Sequence, residues 1–246
     1  MTETVLVFGA TGNIGVAVII GALRAKRHVI AVVRSQASAE KMFKYVGSRD
    51  NITVVEADPT SEDSLRGVVD QVRAGNLPAF QHVWASPGGL YWETPILEID
   101  PAALREVLNV NFESYFYAYR VTVPYLLEQG FAGSTWTLCT GAQGDYGFRA
   151  APAVTQGALF SFAIAASREN EKTNIRFNEV YLAYRVQFEV DEETKKAWAG
   201  AHVTSCDEFA PLYQQLLDRE DIRGSRVQAI TPKDVLQLSV EKRYKA

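Results

Sequence analysis

The sequence predicts an α/β fold in which a doubly wound, mostly parallel sheet of seven strands carries helices on both faces. Three observations predict it. Strand and helix signals alternate along the chain, each gap between strands can hold a helix, and a glycine-rich turn follows the first strand. At 246 residues, of which 47% are hydrophobic, the chain can bury one large core. We therefore expect residues 1–246 to form a single domain.

Seven short runs rich in β-branched and aromatic residues predict the strands. They are TVLVFG (4–9), HVIAVVR (28–34), NITVVEA (51–57), FQHVWAS (80–86), STWTLCT (134–140), IRFNEVYL (175–182) and SRVQAI (225–230). A long helix is expected to begin at Asp100-Pro101, which suit the N-cap and first helical positions, and to end near Gln129. Residues 183–224 interrupt the alternation and predict a loop followed by one or two amphipathic helices that cover the substrate.

Composition and charge exclude several classes of function. The formal net charge of −4, with no basic stripe, argues against a nucleic-acid partner. The longest apolar runs are far shorter than the ~20 residues that span a bilayer, so no membrane association is expected. Two cysteines and three scattered histidines offer no metal-ligand spacing, so no metal is expected. Because no signal peptide is evident, we expect a cytoplasmic protein with reduced cysteines.

The stretch VFGATGNIG, residues 7–15, predicts a phosphate-binding turn directly behind the first strand. Its three glycines lie three residues apart, and a helix is expected to begin near Asn13. Such a turn lets the backbone approach a pyrophosphate and presents a helix N-terminus to it. We therefore expect a dinucleotide site of the Rossmann type, whose contacts in this turn are Gly9, Thr11, Gly12, Asn13, Ile14 and Gly15.

The ends of the next three strands complete the predicted cofactor site. The second strand ends in Arg34-Ser35, where an acidic residue would hold a ribose 2′-hydroxyl and an Arg accommodates a 2′-phosphate, so NADP(H) is expected rather than NAD(H). Asp58, after the third strand, either accepts a hydrogen bond from the adenine amino group or caps the following helix. The turn after the fourth strand adds Ala85, Ser86 and Gly88.

These features resemble the short-chain dehydrogenase/reductase family over nearly the whole chain. Asp58 fits the family's adenine-contacting Asp, LNVNFESYFYAYRVTVPYLL (108–127) looks like its long helix with Asn111 on the characteristic Asn, and KTNIRFNEV (172–180) resembles the sequence after its fifth helix. The resemblance implies a nicotinamide cofactor, a small-molecule substrate, and a homodimer or homotetramer. Aromatic residues at helical spacing in the long helix predict a core or subunit-interface face: Phe112, Tyr115, Phe116 and Tyr119.

The catalytic pattern of that family is broken in this chain. Most members carry a Tyr-x-x-x-Lys pair, in which the Tyr protonates the developing alkoxide and the Lys lowers its pKa, with a Ser earlier in the chain. Matching TQGAL (155–159) to the family's Ser-Lys-Ala-Ala-Leu puts Gln156 on the Lys and Pro152 on the Tyr, while the Ser falls on Cys139 or Thr140. Because proline has no donor and glutamine no charge, ordinary ketone reduction is not expected. Gln156 is still expected to contact the cofactor, and Asn111 survives from the family's tetrad.

Polar residues of the stretch TGAQGDYGFRAAP (140–152) are the predicted replacements. We expect Asp145 as a proton acceptor or cation holder, Tyr146 as an acid and Arg149 as an oxyanion clamp, with Thr140 and Asn111 beside them. The alternative is that they are ordinary residues of an exposed loop. The opposite wall predicts an apolar or heteroaromatic substrate, contacted by Tyr91, Trp92, Tyr184 and Arg185.

Three classes of function follow from this combination. The first is an enzyme of small-molecule metabolism, secondary metabolism included. It is either an NADPH-dependent reductase of an activated C=N or C=C bond or a cyclase derived from such a reductase. Hydride addition to such a bond gives a neutral or delocalised product, and ring closure needs shape and oriented dipoles. The second is a carbonyl reductase whose acid is Tyr146. The third is a non-catalytic NADP(H) sensor or scaffold.

Overall fold

The computed structural model describes residues 2–244 and contains the seven strands that the sequence predicts, together with three more. The strands are β1 Thr4–Phe8, β2 His28–Val33, β3 Ile52–Glu56, β4 His82–Ala85, β5 Thr135–Gly141, β6 Arg176–Leu182, β7 Arg185–Gln187, β8 Val203–Ser205, β9 Ser225–Ala229 and β10 Ser239–Lys242. Eight of them form one sheet in the order β10-β9-β6-β5-β4-β1-β2-β3. The seven predicted strands run parallel, so the predicted fold class is confirmed. The eighth, β10, pairs antiparallel with β9.

Helices cover both faces of this sheet. They are α1 Asn13–Arg24, α2 Gln36–Val46, α3 Glu62–Arg73, α4 Pro101–Leu108, α5 Ser114–Gln129, α6 Gln143–Tyr146, α7 Ala150–Glu169, α8 Glu192–Ala197 and α9 Cys206–Asp218. Successive residues of β1 point to opposite faces, so Val5 and Val7 join a core with α1 and α9, whereas Leu6 and Phe8 join a second core with α3, α5 and α7. The carboxyl ends of the parallel strands therefore meet at one edge between the two helix layers.

The predicted long helix is present and has a wider turn in its middle. The Asp100 carboxylate caps α4 by accepting hydrogen bonds from the backbone N–H groups of Ala102 and Ala103, at 2.7 and 3.3 Å. A π-helical turn over Asn109–Glu113 joins α4 to α5, which ends at Gln129 before a left-handed Gly130. Of the aromatic stripe, Tyr115 is buried in the core and Phe116 is exposed.

Residues 183–224 contain two helices, α8 and α9, as predicted, together with two short strands that the sequence did not predict. Strands β7 and β8 pair in parallel as a second, two-stranded sheet, and α8 lies between them. Helix α9 packs so closely on α1 that a Cβ on Gly21 would lie 2.6 Å from the Ala210 carbonyl oxygen. Helix α9 is therefore part of the core layer, and only the segment before it lies at the carboxyl edge.

Two further features bear on the function classes. Helix α7 is long and apolar enough by composition alone to cross a bilayer, but its residues Leu159, Ala163 and Ala166 are buried in the second core. Within residues 2–244, no group of three or more His, Cys, Asp or Glu side chains is placed to hold a metal ion.

Candidate functional site

The glycine-rich turn between β1 and α1 is closed tightly enough that two of its positions exclude any side chain. Gly9 has φ +79°, and a Cβ there would lie 2.3 Å from the Ser86 carbonyl oxygen. A Cβ on Gly15 would lie 2.1 Å from the Gly9 carbonyl oxygen. The Gly12 N–H donates to that same oxygen at 3.1 Å. These glycines thus bring the first and fourth strand ends together and leave the backbone bare, as a pyrophosphate requires.

Helix α1 begins at this turn with its first N–H groups uncapped. Its N-cap is Gly12, which provides no side-chain acceptor, and its first turn has no acidic residue. Helices α2 and α3 differ, because Ser35 and Ser61 accept hydrogen bonds from their first turns. The N-terminus of α1 therefore offers unpaired donors and the positive end of the helix dipole to an anion. These residues fit the diphosphate of a nicotinamide dinucleotide.

Asn13 has a second role that the sequence did not predict. Its side-chain Nδ2 donates to the Val186 carbonyl oxygen at 2.9 Å and to Gln187 Oε1 at 3.1 Å. The Cys206 thiol donates to the Asn13 carbonyl oxygen at 3.0 Å and to the Gln187 carbonyl oxygen at 3.2 Å. The first residue of α1 thereby fastens the β7 segment to the phosphate-binding turn. No local pattern could show this pairing, since the partners are more than 170 residues apart.

The predicted ribose and adenine contacts lie at the ends of β2 and β3. Arg34 is exposed, and within residues 2–244 no carboxylate forms an ion pair with it. Ser35 next to it caps α2. The Asp58 Oδ1 accepts from the Thr60 N–H and hydroxyl at 2.9 and 2.7 Å, so Asp58 closes a turn. Of the two roles left open for Asp58, capping of α3 is wrong, because Ser61 performs it.

The turn after β4 is held by Asn111. The Asn111 Oδ1 accepts from the Gly89 and Leu90 N–H groups at 3.1 and 3.3 Å, and its Nδ2 donates to the Leu90 carbonyl oxygen at 2.7 Å. Gly88 has φ +128°, and a Cβ there would make a tight contact with the Asn111 Oδ1, 3.1 Å away. Ala85 and Ser86 precede this turn, and the Ser86 hydroxyl accepts from the Trp84 indole N–H at 2.9 Å.

The two candidates for the family's Ser position, Cys139 and Thr140, are neighbours at the end of β5 and point to opposite faces of the sheet. The Thr140 hydroxyl donates to the buried Glu179 carboxylate at 2.8 Å, and Glu179 forms ion pairs with Arg226 and Arg243. Thr140 is therefore a member of a buried polar group under α7. Cys139 points to the opposite face of the sheet, and burial raises the pKa of its thiol to about 12. The thiol stays protonated near neutral pH and is a weak donor.

Pro152 and Gln156, which the sequence analysis matched to the family's Tyr and Lys, both have structural roles. Pro152 is buried in the first turn of α7, which begins at Ala150, close to the predicted start. Gln156 is also buried, and its Oε1 accepts from the Gly141 N–H at 2.6 Å. Gln156 thus fixes the carboxyl end of β5 to α7. Neither residue can protonate a substrate.

The structure separates the three polar residues of the loop before α7. The Asp145 Oδ2 accepts from the Tyr181 hydroxyl at 2.8 Å, under the same helix as Thr140. The Tyr146 ring is 52% exposed and lies beside Phe148. The Arg149 Nε donates to the Glu93 Oε1 at 2.9 Å, which brings it to the segment after β4. Only Arg149 of the three is directed towards the opposite wall. The sequence did not predict a role for Glu93, which directly follows the aromatic pair Tyr91-Trp92.

The four residues predicted to contact the substrate lie on two segments, the turn after β4 and the connection from β6 to β7. Tyr91 follows the Asn111-bound turn, and Trp92 is partly buried next to it. Tyr184 packs edge-on against Phe209 with ring centroids 6.2 Å apart, and burial raises the pKa of its hydroxyl. The Arg185 guanidinium lies 4.6 Å above the Trp198 ring, in the segment between β7 and β8.

Comparisons with known proteins agree with this geometry. The short chain dehydrogenase family profile matches residues 3–196. The chain is 50% identical over 236 residues to iacG, a short-chain dehydrogenase/reductase of Pestalotiopsis fici, and the alignment covers 96% of this chain and 94% of that relative.

Solved structures share the fold at lower identity. ElxO with NADP bound has a TM-score of 0.80 at 16% identity, covering 96% of this chain and 100% of the other. A short-chain dehydrogenase/reductase from Brucella melitensis has a TM-score of 0.75 at 21% identity, covering 92% of this chain and 94% of the other.

Proposed function

Because the chain belongs to the short-chain dehydrogenase/reductase family, whose members bind nicotinamide cofactors, we propose that it is an NADPH-dependent reductase of an activated C=C or C=N bond in a small molecule. One observation carries this proposal. The cofactor turn admits only glycine at Gly9 and Gly15, whereas Pro152 and Gln156, matched by sequence to the family's Tyr and Lys, are buried and offer neither an acidic hydroxyl nor a charge.

The proposed cofactor contacts follow from the donors that the chain leaves unused. The uncapped N–H groups of α1 would bind the diphosphate, and Arg34 with Ser35 would bind a 2′-phosphate. When bound, the reduced nicotinamide supplies a hydride. Support for the NADP form comes from Arg34 at the end of β2, and ElxO, which shares the fold, holds NADP in its solved structure.

The proposed substrate class follows from what the centre lacks. An alkoxide formed from a plain ketone needs a positioned acid, whose loss costs roughly 10²–10⁴-fold in rate. An enolate delocalises the negative charge, and the amine formed from an iminium carries none. Reduction of an activated bond therefore depends less on the missing Tyr and Lys than reduction of a plain ketone does. The exposed aromatic and apolar groups near Tyr91 favour an apolar substrate in an aromatic-lined cleft.

Cofactor titration tests the first half of this proposal. We expect tighter binding of NADPH than of NADH, measured by nicotinamide fluorescence. Arg34→Ala should weaken NADPH binding by about 10–100-fold, the loss of a charge-assisted hydrogen bond, and leave NADH binding unchanged. Arg168→Ala is the matched control, because it removes the same charge from the last turn of α7 at the opposite edge of the sheet. Equal affinity for the two cofactors would contradict the role of Arg34.

A pair of probe compounds tests the second half. Cyclohexenone carries an activated C=C bond and cyclohexanone is its saturated ketone counterpart, while an N-methyldihydroisoquinolinium salt carries an activated C=N bond. We expect NADPH oxidation with the enone or the iminium salt and little with cyclohexanone. Faster turnover of cyclohexanone than of both activated probes would overturn the proposed substrate class.

A further inference from the structure

Exposed apolar side chains are concentrated on two segments at the carboxyl edge of the sheet. The β4 segment, residues 87–99, follows β4, and the β5 segment, residues 142–154, follows β5 and includes the start of α7. Leu97 is fully exposed and Phe148 is 81% exposed. Such a concentration marks a binding surface rather than a scatter of single residues. Of the twelve large apolar side chains that are exposed in residues 2–244, six lie on these segments and are called the apolar rim below: Tyr91, Ile96, Leu97, Tyr146, Phe148 and Val154.

An ion pair holds the two segments together. The Arg149 Nε donates to the Glu93 Oε1 at 2.9 Å, and a second guanidinium N–H binds the same oxygen. Phe148 directly precedes Arg149, and its ring centroid lies 5.7 Å from that of Tyr146. Since each residue extends the chain by at most about 3.6 Å, the Cα of Leu97 lies within about 14 Å of that of Glu93. The apolar groups of the two segments therefore surround one ion pair.

Both segments begin at the proposed cofactor site and lead away from it. The Ser86 carbonyl oxygen, just before the β4 segment, is the atom that a Cβ on Gly9 would meet at 2.3 Å. The Gly141 N–H, just before the β5 segment, donates to the Gln156 Oε1 at 2.6 Å, at the position matched to the family's Lys. A ligand whose reacting part lies at this edge of the sheet would therefore meet the apolar rim on its way to solvent.

The charges around the apolar rim disfavour a membrane surface as its occupant. Glu93, Glu98 and Asp145 stand among the apolar side chains, and the Arg149 cation is already paired with Glu93. The two segments contain no other Lys or Arg. Anionic lipids are attracted by clusters of unpaired basic side chains, so they have no such site here. An uncharged apolar chain suits this surface.

We propose that the substrate has a small activated bond at the cofactor and an extended apolar tail that leaves the cleft between the β4 and β5 segments and packs on the apolar rim. This proposal rests on the reductase function proposed above and adds a substrate class to it, namely amphiphilic enones or iminium ions that carry an alkyl or similar apolar chain. An exposed ion pair contributes little to stability, so the Arg149–Glu93 pair acts by keeping the two halves of the rim together.

Two enones that differ only in their tails test this proposal. Pent-3-en-2-one carries a methyl group at the end of its activated C=C bond, and non-3-en-2-one carries a pentyl group there. We expect kcat/KM for the pentyl compound to exceed that for the methyl compound by about tenfold, because four methylene groups each become about half buried. A ratio near one in the wild type would overturn the proposal.

Substitutions on the apolar rim should lower this pentyl-to-methyl ratio. We expect Phe148→Ser and Leu97→Ser each to reduce it at least threefold, since each removes part of the surface that covers the tail. Leu127→Ser is the matched control, because it removes an exposed apolar side chain from the far end of α5 and should keep the wild-type ratio. The same ratio in all three variants would refute the role of the rim.

A charge exchange tests the ion pair. Arg149→Glu should lower the pentyl-to-methyl ratio at least threefold, because Glu93 then repels the β5 segment, and adding Glu93→Arg should restore it. A double variant with the ratio of the single one would show that the pair does not hold the two halves of the rim together.

Sedimentation equilibrium distinguishes a tail from a second copy of the chain. If Phe148→Ser has a lower molecular mass than the wild type and an unchanged pentyl-to-methyl ratio, a second copy covers the rim and the proposal is wrong. We expect the mass to stay the same and the ratio to fall.

A binding measurement separates this proposal from the reductase function. Nonan-2-one and pentan-2-one are the saturated counterparts of the two enones, and calorimetric titration of the NADP⁺-loaded protein gives their affinities without turnover. We expect nonan-2-one to bind at least threefold more tightly. If the wild type reduces neither enone but shows this preference, the reductase function fails and the apolar rim still binds the tail. Equal affinities for the two ketones would overturn the rim as a tail site.

Discussion

Gly15 is the position at which one atom decides whether the cofactor turn can close. The carbonyl oxygen of Gly9 occupies the place that a Cβ would need, 2.1 Å away. We expect Gly15→Ala to weaken NADPH binding at least tenfold, because the backbone must shift away from the diphosphate. Calorimetric titration of NADPH measures the change.

Gly67→Ala is the matched control for that substitution. Gly67 lies within α3 and would have no atom within 4 Å of an added Cβ. Alanine is the better helix former by roughly 1 kcal/mol, so this variant should be slightly more stable and bind NADPH normally. Equal loss of NADPH binding in both variants would contradict the explanation for Gly15.

Single residues also show how far the sequence could be interpreted. The glycine spacing and the uncapped start of α1 are local, and the sequence contains all that is needed to predict them. The partners of Asn13, Gln156 and Arg149 are not local, because each bond joins segments brought together only by the sheet. Asp145 and Tyr146 illustrate the limit. Their position in the chain suggested the cleft, but the short helix α6 directs Asp145 to Tyr181 instead.

At the scale of elements, the π-helical turn between α4 and α5 controls the turn after β4. It places Asn111 inward, where its amide satisfies Gly89 and Leu90. We expect Asn111→Ala to lower the free energy of unfolding by about 1–3 kcal/mol, since the partly buried backbone groups of Gly89 and Leu90 lose their partners. Hydrogen exchange followed by NMR should show the amide protons of Gly89 and Leu90 exchanging at least tenfold faster.

A control for that experiment lies on the same helix. Asn109, also in the π-helical turn, donates a side-chain hydrogen bond to Glu113 at 2.9 Å rather than to the turn after β4. Asn109→Ala should leave the exchange of Gly89 and Leu90 unchanged. Unchanged exchange in Asn111→Ala as well would show that another group holds this turn.

Elements were predictable where burial imposes a pattern. Strands β1, β2 and β4 are buried on both faces along most of their length, and they appear in the sequence as nearly continuous apolar runs. Strand β10 has the sequence SVEK and is exposed at all four residues, and β7 and β8 are three residues each. Such segments are too short or too polar for a periodic signal, and only their pairing partners define them as strands.

At the scale of the whole molecule, the amino edge of the sheet is held together by charge. The Glu3 Oε2 accepts from the Arg27 Nε and lies 2.9 Å from the His82 Nε2, which joins β1, the α1–β2 turn and β4. The hydrogen bond with His82 and the charges of His82 and Arg27 lower the pKa of Glu3 from 4.5 to about 2. A carboxyl with a lowered pKa stabilises the fold above its unfolded value and loses that contribution as pH falls.

Acid unfolding measures this contribution. We expect the free energy of unfolding to fall between pH 4.5 and pH 2 through Glu3, on the order of 1 kcal/mol after solvent screening, and this loss to be absent in Glu3→Gln. Urea titrations at pH 7, 4.5 and 3 provide the comparison. Glu40→Gln, whose ion pair with Arg49 is exposed on both sides, should keep the wild-type profile. If Glu3→Gln loses as much unfolding free energy as the wild type on acidification, the Glu3 carboxyl is not the source of that loss.

The double attachment of Asn13 has a kinetic consequence. Its backbone belongs to the turn proposed to bind the diphosphate. Its side chain donates a hydrogen bond to Val186 in β7, the strand that begins at Arg185. A ligand that orders the start of α1 therefore also orders one wall of the cleft before any substrate arrives. We expect a compulsory sequence of addition, in which the dinucleotide enters first and departs last. The off-rate of the oxidised dinucleotide would then set the steady-state speed of the enzyme.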